Sequence, residues 1–454
     1  MPETPQQILE RACAALESGD AARAWQQMAP LEARIASDAD AAAAWLDLLR
    51  FQPARPTLIA EVKAILGAFG EDAALVTRAC DALIRAAELT PPDEPQPKDG
   101  PAELAAAAAE RCLDALDRHP AQRALRGYLL AGRGNALRLT RAYDAAQAAL
   151  EAALAEQPER GAWWFNLGLL HKARHDFPAA LAANQRAHAL LGDERPLLWN
   201  LAICAIALGD GALAVQTLRK LGHDAQLGER GMPRVEGLPP VQVRAATLGS
   251  GLGSASSIED RAVSLELLSV TPLSPLHGVV SSASYRDASI DYGDVVLWEP
   301  MPIGFGEHAG KPVPRFPLLS VLRKGDERRF RFVALQQAPE QVAALAEDLP
   351  DGALMFVHRE AIEMLCPRCA SGEHMRKHRH EAAEEHRLVY GKIVLPGGVD
   401  PTAFRAAFDA RLRAHPGVQI VMPGLLEAIG DTAAAGKAHQ MWRGLERTDQ
   451  KRAH

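Results

Sequence analysis

The sequence predicts a multidomain chain: an all-α helical repeat array, then an α/β (α+β) domain with a mixed sheet. Three observations carry that prediction. About a quarter of residues 1–225 are alanine, a helix former with little side-chain entropy to lose and no polar group to bury. A self-similarity with a period of 34 residues runs through residues 127–222 without insertion. Beyond about residue 225 the helical pattern gives way to short strand-like runs punctuated by Pro and Gly. With 454 residues, 48% of them apolar and only 5% aromatic, the chain can bury cores of its own, but it must do so largely with small side chains.

Residues 1–89 read as a degenerate helical-repeat region, in which ALESGDAARAWQQM, around Gly19 and Ala24, forms a hairpin junction. TPPDEPQPKDGP, residues 90–101, is a Pro- and acid-rich linker. Repeats fill residues 102–225, with LDALDRHP ending one helix at Pro120. The clearest unit is GAWWFNLGLLHKARHDFPAALAANQRAHALLGDE, from Gly161, with Trp164, Leu167 and Gly168 on its first helix and Ala180 and Ala187 on its second. One period earlier, from Gly127, come Leu130, Gly134, Tyr143, Ala146, Ala153 and Pro158. One period later, from Arg195, come Trp199, Asn200, Leu201, Gly209, Asp210 and Ala214. A helical hairpin cannot bury its own apolar face, so neighbours must stack, and small residues at fixed positions let them approach.

These frames resemble tetratricopeptide repeats. The resemblance implies a groove that holds a protein or peptide partner, lined by Tyr128, Asn135, Arg138, Phe165, Leu169, Lys172, Trp199 and Ile203, with Ala131 and Ile206 beside them. A clamp for a C-terminal carboxylate is disfavoured, because Ala131, Pro196 and Asn200 stand where its cations would be. Another domain of the same chain is the alternative occupant.

Charge and cysteine usage limit the partners. The net charge is −7, and residues 1–100, with 9 basic and 16 acidic side chains, already account for it. No basic stripe offers a footprint for nucleic acid, and Arg328, Arg329 and Arg331 read as the solvated face of a strand. No basic-then-apolar leader and no long apolar run is evident, so no membrane partner is expected. Cys13, Cys80, Cys112 and Cys204 sit singly in helical contexts as small buried thiols, and the usage suits the cytoplasm.

Residues 226–257 read as a linker with one possible strand, Val241–Ala245. Its Gly249, Gly251 and Gly253 lack the Lys-Ser/Thr of a phosphate loop. The α/β domain follows at 258–454. SLELLSV, HGVVSSA, DVVLWEP and FPLLSVLR are strands, whereas EPMPIGFGEHAGKPVPRFP, with Trp298 just before it and Phe305 and His308 inside, is expected to be an extended loop. Two βαβ-like passages come next. RFRFVALQQ, a helix opened by Pro339, and ALMFVH form the first; RLVYGKIVLPGG, a helix capped by Asp400, and VQIVMP form the second. The pattern suggests a ferredoxin-like sheet covered by helices.

Between those passages lies CPRCASGEHMRKHRHEAAEEH, an insertion at 366–386. Cys366, Cys369, His374 and His378 have the spacing of a compact zinc knuckle, with His380 and His386 as alternates. Three readings stay open: structural zinc, a solvated His-rich helix without metal, or a catalytic metal with Glu381, Glu384 or Glu385 as general base. A thioredoxin-like use of CPRC is weakened by the helix-like REAIEML before it. The function that emerges is an adaptor gripping a protein or peptide partner with its helical half. The alternative is a metal-dependent enzyme whose repeats recruit the substrate.

Overall fold

Half of the α-helices in the first unit start at side chains that accept otherwise orphaned N–H groups. Thr4 forms a capping box with Gln7 ahead of α1 (Pro5–Glu17), and Asp20 and Asp38 cap α2 (Ala21–Glu32) and α3 (Ala39–Phe51). The computed structural model describes residues 3–228, 230–248, 263–285, 290–308, 310–347, 349–365 and 384–450. It divides into two units, Met1–Gly237 and Leu238–His454. In the first, α4 (Leu58–Phe69), α5 (Ala73–Ala87) and α6 (Pro101–Ala115) complete a helical layer whose core holds Met28, Trp45, Leu49, Ile65 and Leu83. Arg55 lies 3.9 Å over the Trp25 ring and pairs with Glu61 at 2.8 Å, and the Trp45 indole also donates to Glu61.

Three helix pairs follow: α7 (Arg126–Leu139) with α8 (Tyr143–Glu156), α9 (Gly161–Ala173) with α10 (Phe177–Leu191), and α11 (Arg195–Ala207) with α12 (Gly211–Lys220). Their second helices begin at Tyr143, Phe177 and Gly211, one period of 34 residues apart each time. The turns keep the same register: Arg141, His175 and Gly209 all take positive φ, at 63°, 59° and 76°. Only the third is glycine, so the first two turns each carry roughly 1 kcal/mol of left-handed backbone cost. Ala146, Ala180, Ala202 and Ala214 are fully buried between helices. Gly134 and Gly168 serve closeness, since a Cβ there would come within 2.7 Å of Leu150 and of Asn184. Cys80, Cys112 and Cys204 are buried and Cys13 part-buried; burial pushes the Cys80 thiol up to about 12, away from reactivity. The last pair is closed by a small hairpin, β1 (Gln226–Leu227) with β2 (Pro233–Arg234), which packs on α12.

The second unit contains two sheets. β3 (Val241–Leu248), β4 (Val263–Pro272), β5 (His277–Val280), β6 (Val295–Trp298), β7 (Gly304–His308) and β8 (Lys311–Arg323) stand in the order β3-β4-β5-β6-β8-β7. Neighbours are antiparallel, but β3 also pairs in parallel with β8, from Gln242↔Arg315 to Arg244↔Pro317, and this closes a mixed barrel. Val243, Leu268, Val270, Val280, Val296 and Trp298 fill it.

The other sheet is built by β9 (Arg328–Gln336), α13 (Gln341–Ala346), β10 (Leu354–Leu365), β11 (Glu384–Leu395), α14 (Pro401–Leu412) and β12 (Val418–Val421). Its order, β10-β11-β9-β12, antiparallel throughout, gives the ferredoxin-like arrangement. The strands alternate with period two. Phe330, Phe332, Val389, Ile393 and Leu395 meet Phe404 and Phe408 of α14 and Leu425 of α15 (Pro423–Ala428). Val333, Leu335, Leu388 and Tyr390 face Ala438 and Trp442 of α16 (Thr432–Gln450). Among the described residues no helix is long and apolar enough to cross a membrane.

Several local expectations are corrected. The Pro-rich run 299–317 is largely the β7–β8 hairpin rather than an extended loop. Ile303 N–H donates to the Arg315 carbonyl at 2.8 Å. Pro312 and Pro314, of opposite parity, therefore aim their ring nitrogens away from β7, on the side where among the described residues the β3 pairing begins only at Arg315, and no β7 ladder bond is lost. REAIEML is strand, because Arg359–Leu365 pairs with Glu384–Tyr390. The helix expected from Pro339 starts only at Gln341, after Glu340 turns left-handed at φ 67°. Arg328 is exposed, but Arg329 donates to the Tyr292 carbonyl at 2.5 Å and Arg331 lies over the Trp442 ring, so the run is not simply solvated. Residues 226–257 hold β1, β2 and β3, and Gly249, Gly251 and Gly253 lie outside the described residues.

Candidate functional site

The repeat register turns the first helices into columns. Ala131, Phe165 and Trp199 stand at equivalent positions on α7, α9 and α11; so do Asn135, Leu169 and Ile203, and Arg138, Lys172 and Ile206. These helices are neighbours, so each column runs across adjacent elements. Exposure is uneven along them. Tyr128, Asn135, Phe165, Leu169 and Trp199 are partly exposed, whereas Lys172 is 8% exposed and Ile203 and Ile206 are buried. The accessible stretch therefore lies on α7 and α9 and ends at Trp199.

The aromatic members are held in place. Tyr128 meets Trp163 edge to face, with ring centroids 5.3 Å apart, and carries the Arg160 guanidinium 5.0 Å from its own centroid. Trp199 packs on the His223 ring at 5.6 Å, and burial lowers that imidazole below its ordinary range. Arg138 donates to the Asn135 side chain at 2.8 Å and reaches Glu88 at 3.5 Å. Asn200 spends its amide on the Pro196 carbonyl, 2.9 Å away, rather than aiming it outward. A surface of two or three oriented aromatics beside a half-buried arginine suits extended or helical polypeptide better than a small polar substrate.

No protein-family model and no curated protein matches the sequence. Among solved structures the chain is similar to one described as the MamA RS-1 ArsTM double mutant, at 15% identity, over 49% of this chain and 94% of that one, with a TM-score of 0.28. So distant a likeness carries no functional argument. The site is read from this chain's own residues.

The second unit holds a polar cluster that the sequence did not announce. Lys392, 3% exposed in the middle of β11, donates to Asp291 Oδ2 at 2.6 Å and to Ser284 Oγ at 2.7 Å. Ser284 in turn donates to Asp291 through both its backbone N–H and its hydroxyl. Burial works to raise the Asp291 carboxyl, but Lys392 and the Ser284 and Tyr292 N–H groups more than offset it and hold it below its usual range. The neighbouring Asp294 accepts from Lys324 at 2.9 Å and Arg329 at 3.4 Å. Together the two aspartates tie the 281–294 connection of the barrel to β9 and β11. His358 stands beside them, its ring edge-on to Tyr285; burial first, then Lys392, push it down to about 4. With Lys392 ion-paired to Asp291 and Ser284 fully buried, the arrangement has the geometry of a clamp rather than of a serine–lysine nucleophile. The one available signal was a lysine at an inward position of the strand RLVYGKIVL.

Cys366, Cys369, His374, His378 and His380 lie outside the described residues, as does Glu381. His386 falls within β11, its backbone opposite Glu363, and Glu384 and Glu385 stand opposite Leu365 and Met364. Among the described residues no group of three or more His, Cys, Asp or Glu could hold a metal ion. The remaining expected positions also separate: Trp298 is buried in the barrel core, while Phe305 is 64% exposed on β7.

Proposed function

We propose that this chain is a cytoplasmic adaptor whose helical repeats hold a protein or peptide partner against α7, α9 and α11. The observation that supports the reading most is the 34-residue register, which presents partly exposed Tyr128, Phe165, Leu169 and Trp199 on neighbouring helices. Aromatic anchors of this kind contribute about 2 kcal/mol or more each when a partner desolvates them, roughly a thirtyfold change in Kd. The paired substitution Phe165→Glu and Trp199→Glu is therefore expected to abolish capture of proteins bound by the full chain, with the circular dichroism of the repeats retained. Equal capture by both forms, confirmed with the purified partner, would remove the repeat surface from the function. Lys172, being nearly buried, is a poor probe of this surface.

The second half is proposed to carry zinc, held by Cys366, Cys369, His374 and His378 with His380 and His386 as alternates. Support comes from the donor set and from the β10–β11 register. Leu365 pairs with Glu384, so the segment carrying the thiols and imidazoles leaves and re-enters the sheet at one point. Two thiolates and two imidazoles fill a tetrahedral shell, which favours a structural role over a catalytic one. One zinc per chain is expected by elemental analysis, and less than a tenth of it in the Cys366→Ser/Cys369→Ser variant. Metal-free wild-type protein with the same thermal stability would end the zinc proposal. A fourth coordination position open to water would instead favour the enzyme reading, with Glu381, Glu384 or Glu385 as base.

A further inference from the structure

The turn between β4 and β5 fixes one protonation state of a buried histidine. Ser274 Oγ accepts the N–H groups of Leu276 and His277 at 3.2 and 3.3 Å. Its own hydrogen is thereby directed at His277 Nδ1, 2.7 Å away. Nδ1 is the acceptor, so the ring proton sits on Nε2, which is buried without a hydrogen-bond partner among the described residues. His277 is 1% exposed. It stands opposite Leu297 of β6, beside the point where Trp298 N–H donates to the Leu276 carbonyl and the Trp298 indole to that of Pro275. Among the described residues no charged group contributes to its shift, and burial pushes the imidazole down to about 4.

A second proton has nowhere to go. It would place a hydrogen on Nδ1 facing the Ser274 hydroxyl hydrogen, and leave a cation with an unsatisfied Nε2–H among apolar side chains. We infer that His277 is an acid-sensitive latch of the barrel, whose protonation opens the β5–β6 ladder while the helical repeats stay folded. The open form binds the proton at the ordinary histidine value and the closed form resists it. The stabilisation is therefore complete above pH about 6.5 and is lost progressively as pH falls towards 4. Between pH 7 and pH 5 the opening constant of this ladder should rise about twentyfold. His358 answers to a different set of groups, since Lys392, Asp291, Arg331 and the Tyr285 ring all face it.

Hydrogen exchange of the full chain, read by peptide and corrected for intrinsic rates, tests the latch. The expected result is about a twentyfold loss of protection in β5 and β6 from pH 7 to pH 5, with α7–α12 unchanged. His277→Asn keeps an acceptor for Ser274 but cannot titrate, and should remove that twentyfold whatever other histidines add. Equal protection at both pH values, or an undiminished loss in the variant, would overturn the inference. Should the variant not fold, histidine ring NMR of the wild type decides. A ring that stays neutral below pH 5 as the Nε2–H tautomer supports the latch, and one that titrates near 6.5 overturns it.

Discussion

Lys392→Met is expected to destabilise the second unit by about 3–5 kcal/mol, the cost of stranding a buried carboxylate when its cation is removed. The methionine nearly matches the lysine stem in volume, so packing changes little; what changes is that Asp291 and Ser284 lose the ammonium bonded to both. Lys392 also stands at the centre of the sheet, opposite Arg331 on one side and Phe356 on the other, where water cannot replace it. Denaturant unfolding followed at Trp298 and Trp442 should show the loss. Adding Asp291→Asn should recover a good part of it, because the stranded charge is then gone. A single variant as stable as the wild type, or a double variant worse than the single, would show that the cluster is not a clamp.

Gly211→Ala is the second large effect, and it acts through the backbone. A Cβ at this position would overlap the Gly231 carbonyl oxygen, and it would also lie 2.8 Å from the Gly231 carbonyl carbon and 3.0 Å from the Leu227 side chain. Neither the first turn of α12 nor the β1–β2 hairpin can yield alone, so the hairpin must lift from the end of the repeats. Overpacking of this kind costs about 3 kcal/mol. Thermal unfolding of the first unit should move down by several degrees, and proteolysis should cut near residues 226–234. Gly19→Ala offers the contrast: unlike Gly211 it has a positive φ, at 82°, but nothing lies within 4 Å, so only the left-handed penalty of about 1 kcal/mol applies. Equal losses in the two variants would mean that the hairpin does not seal the array.

Much of the helical half was legible because its rules are local and repeated. The aspartates before α2, α3 and α5 announce helix starts within a few residues, and the small residues Gly134 and Gly168 announce contacts with the paired helix about sixteen residues on. The ferredoxin-like order was legible for a similar reason: two strand–helix–strand passages leave few ways to close one sheet. What escaped was non-local. Whether Arg359–Leu365 becomes helix or strand is decided by β11, and an amphipathic run with two glutamates fits either. The prolines of β8 looked like loop residues because nothing nearby reveals which edge of a strand will lie unpaired. Lys392 was missed because its partners, Ser284 and Asp291, lie about a hundred residues earlier. The burial of Ile203 and Lys172 depends on packing that a repeat frame does not encode.

The pairing of Leu365 with Glu384 bears on how the sheet tolerates change. Register on both sides of that pair is set by the strands themselves, through β10 against β11 and β11 against β9. Joining the two strands by eighteen residues adds a closure entropy of about 2 kcal/mol over a two-residue turn. The pairings that set register lie in the strands, and because that cost grows only with the logarithm of length, a change in the number of residues between Leu365 and Glu384 alters the closure term slowly.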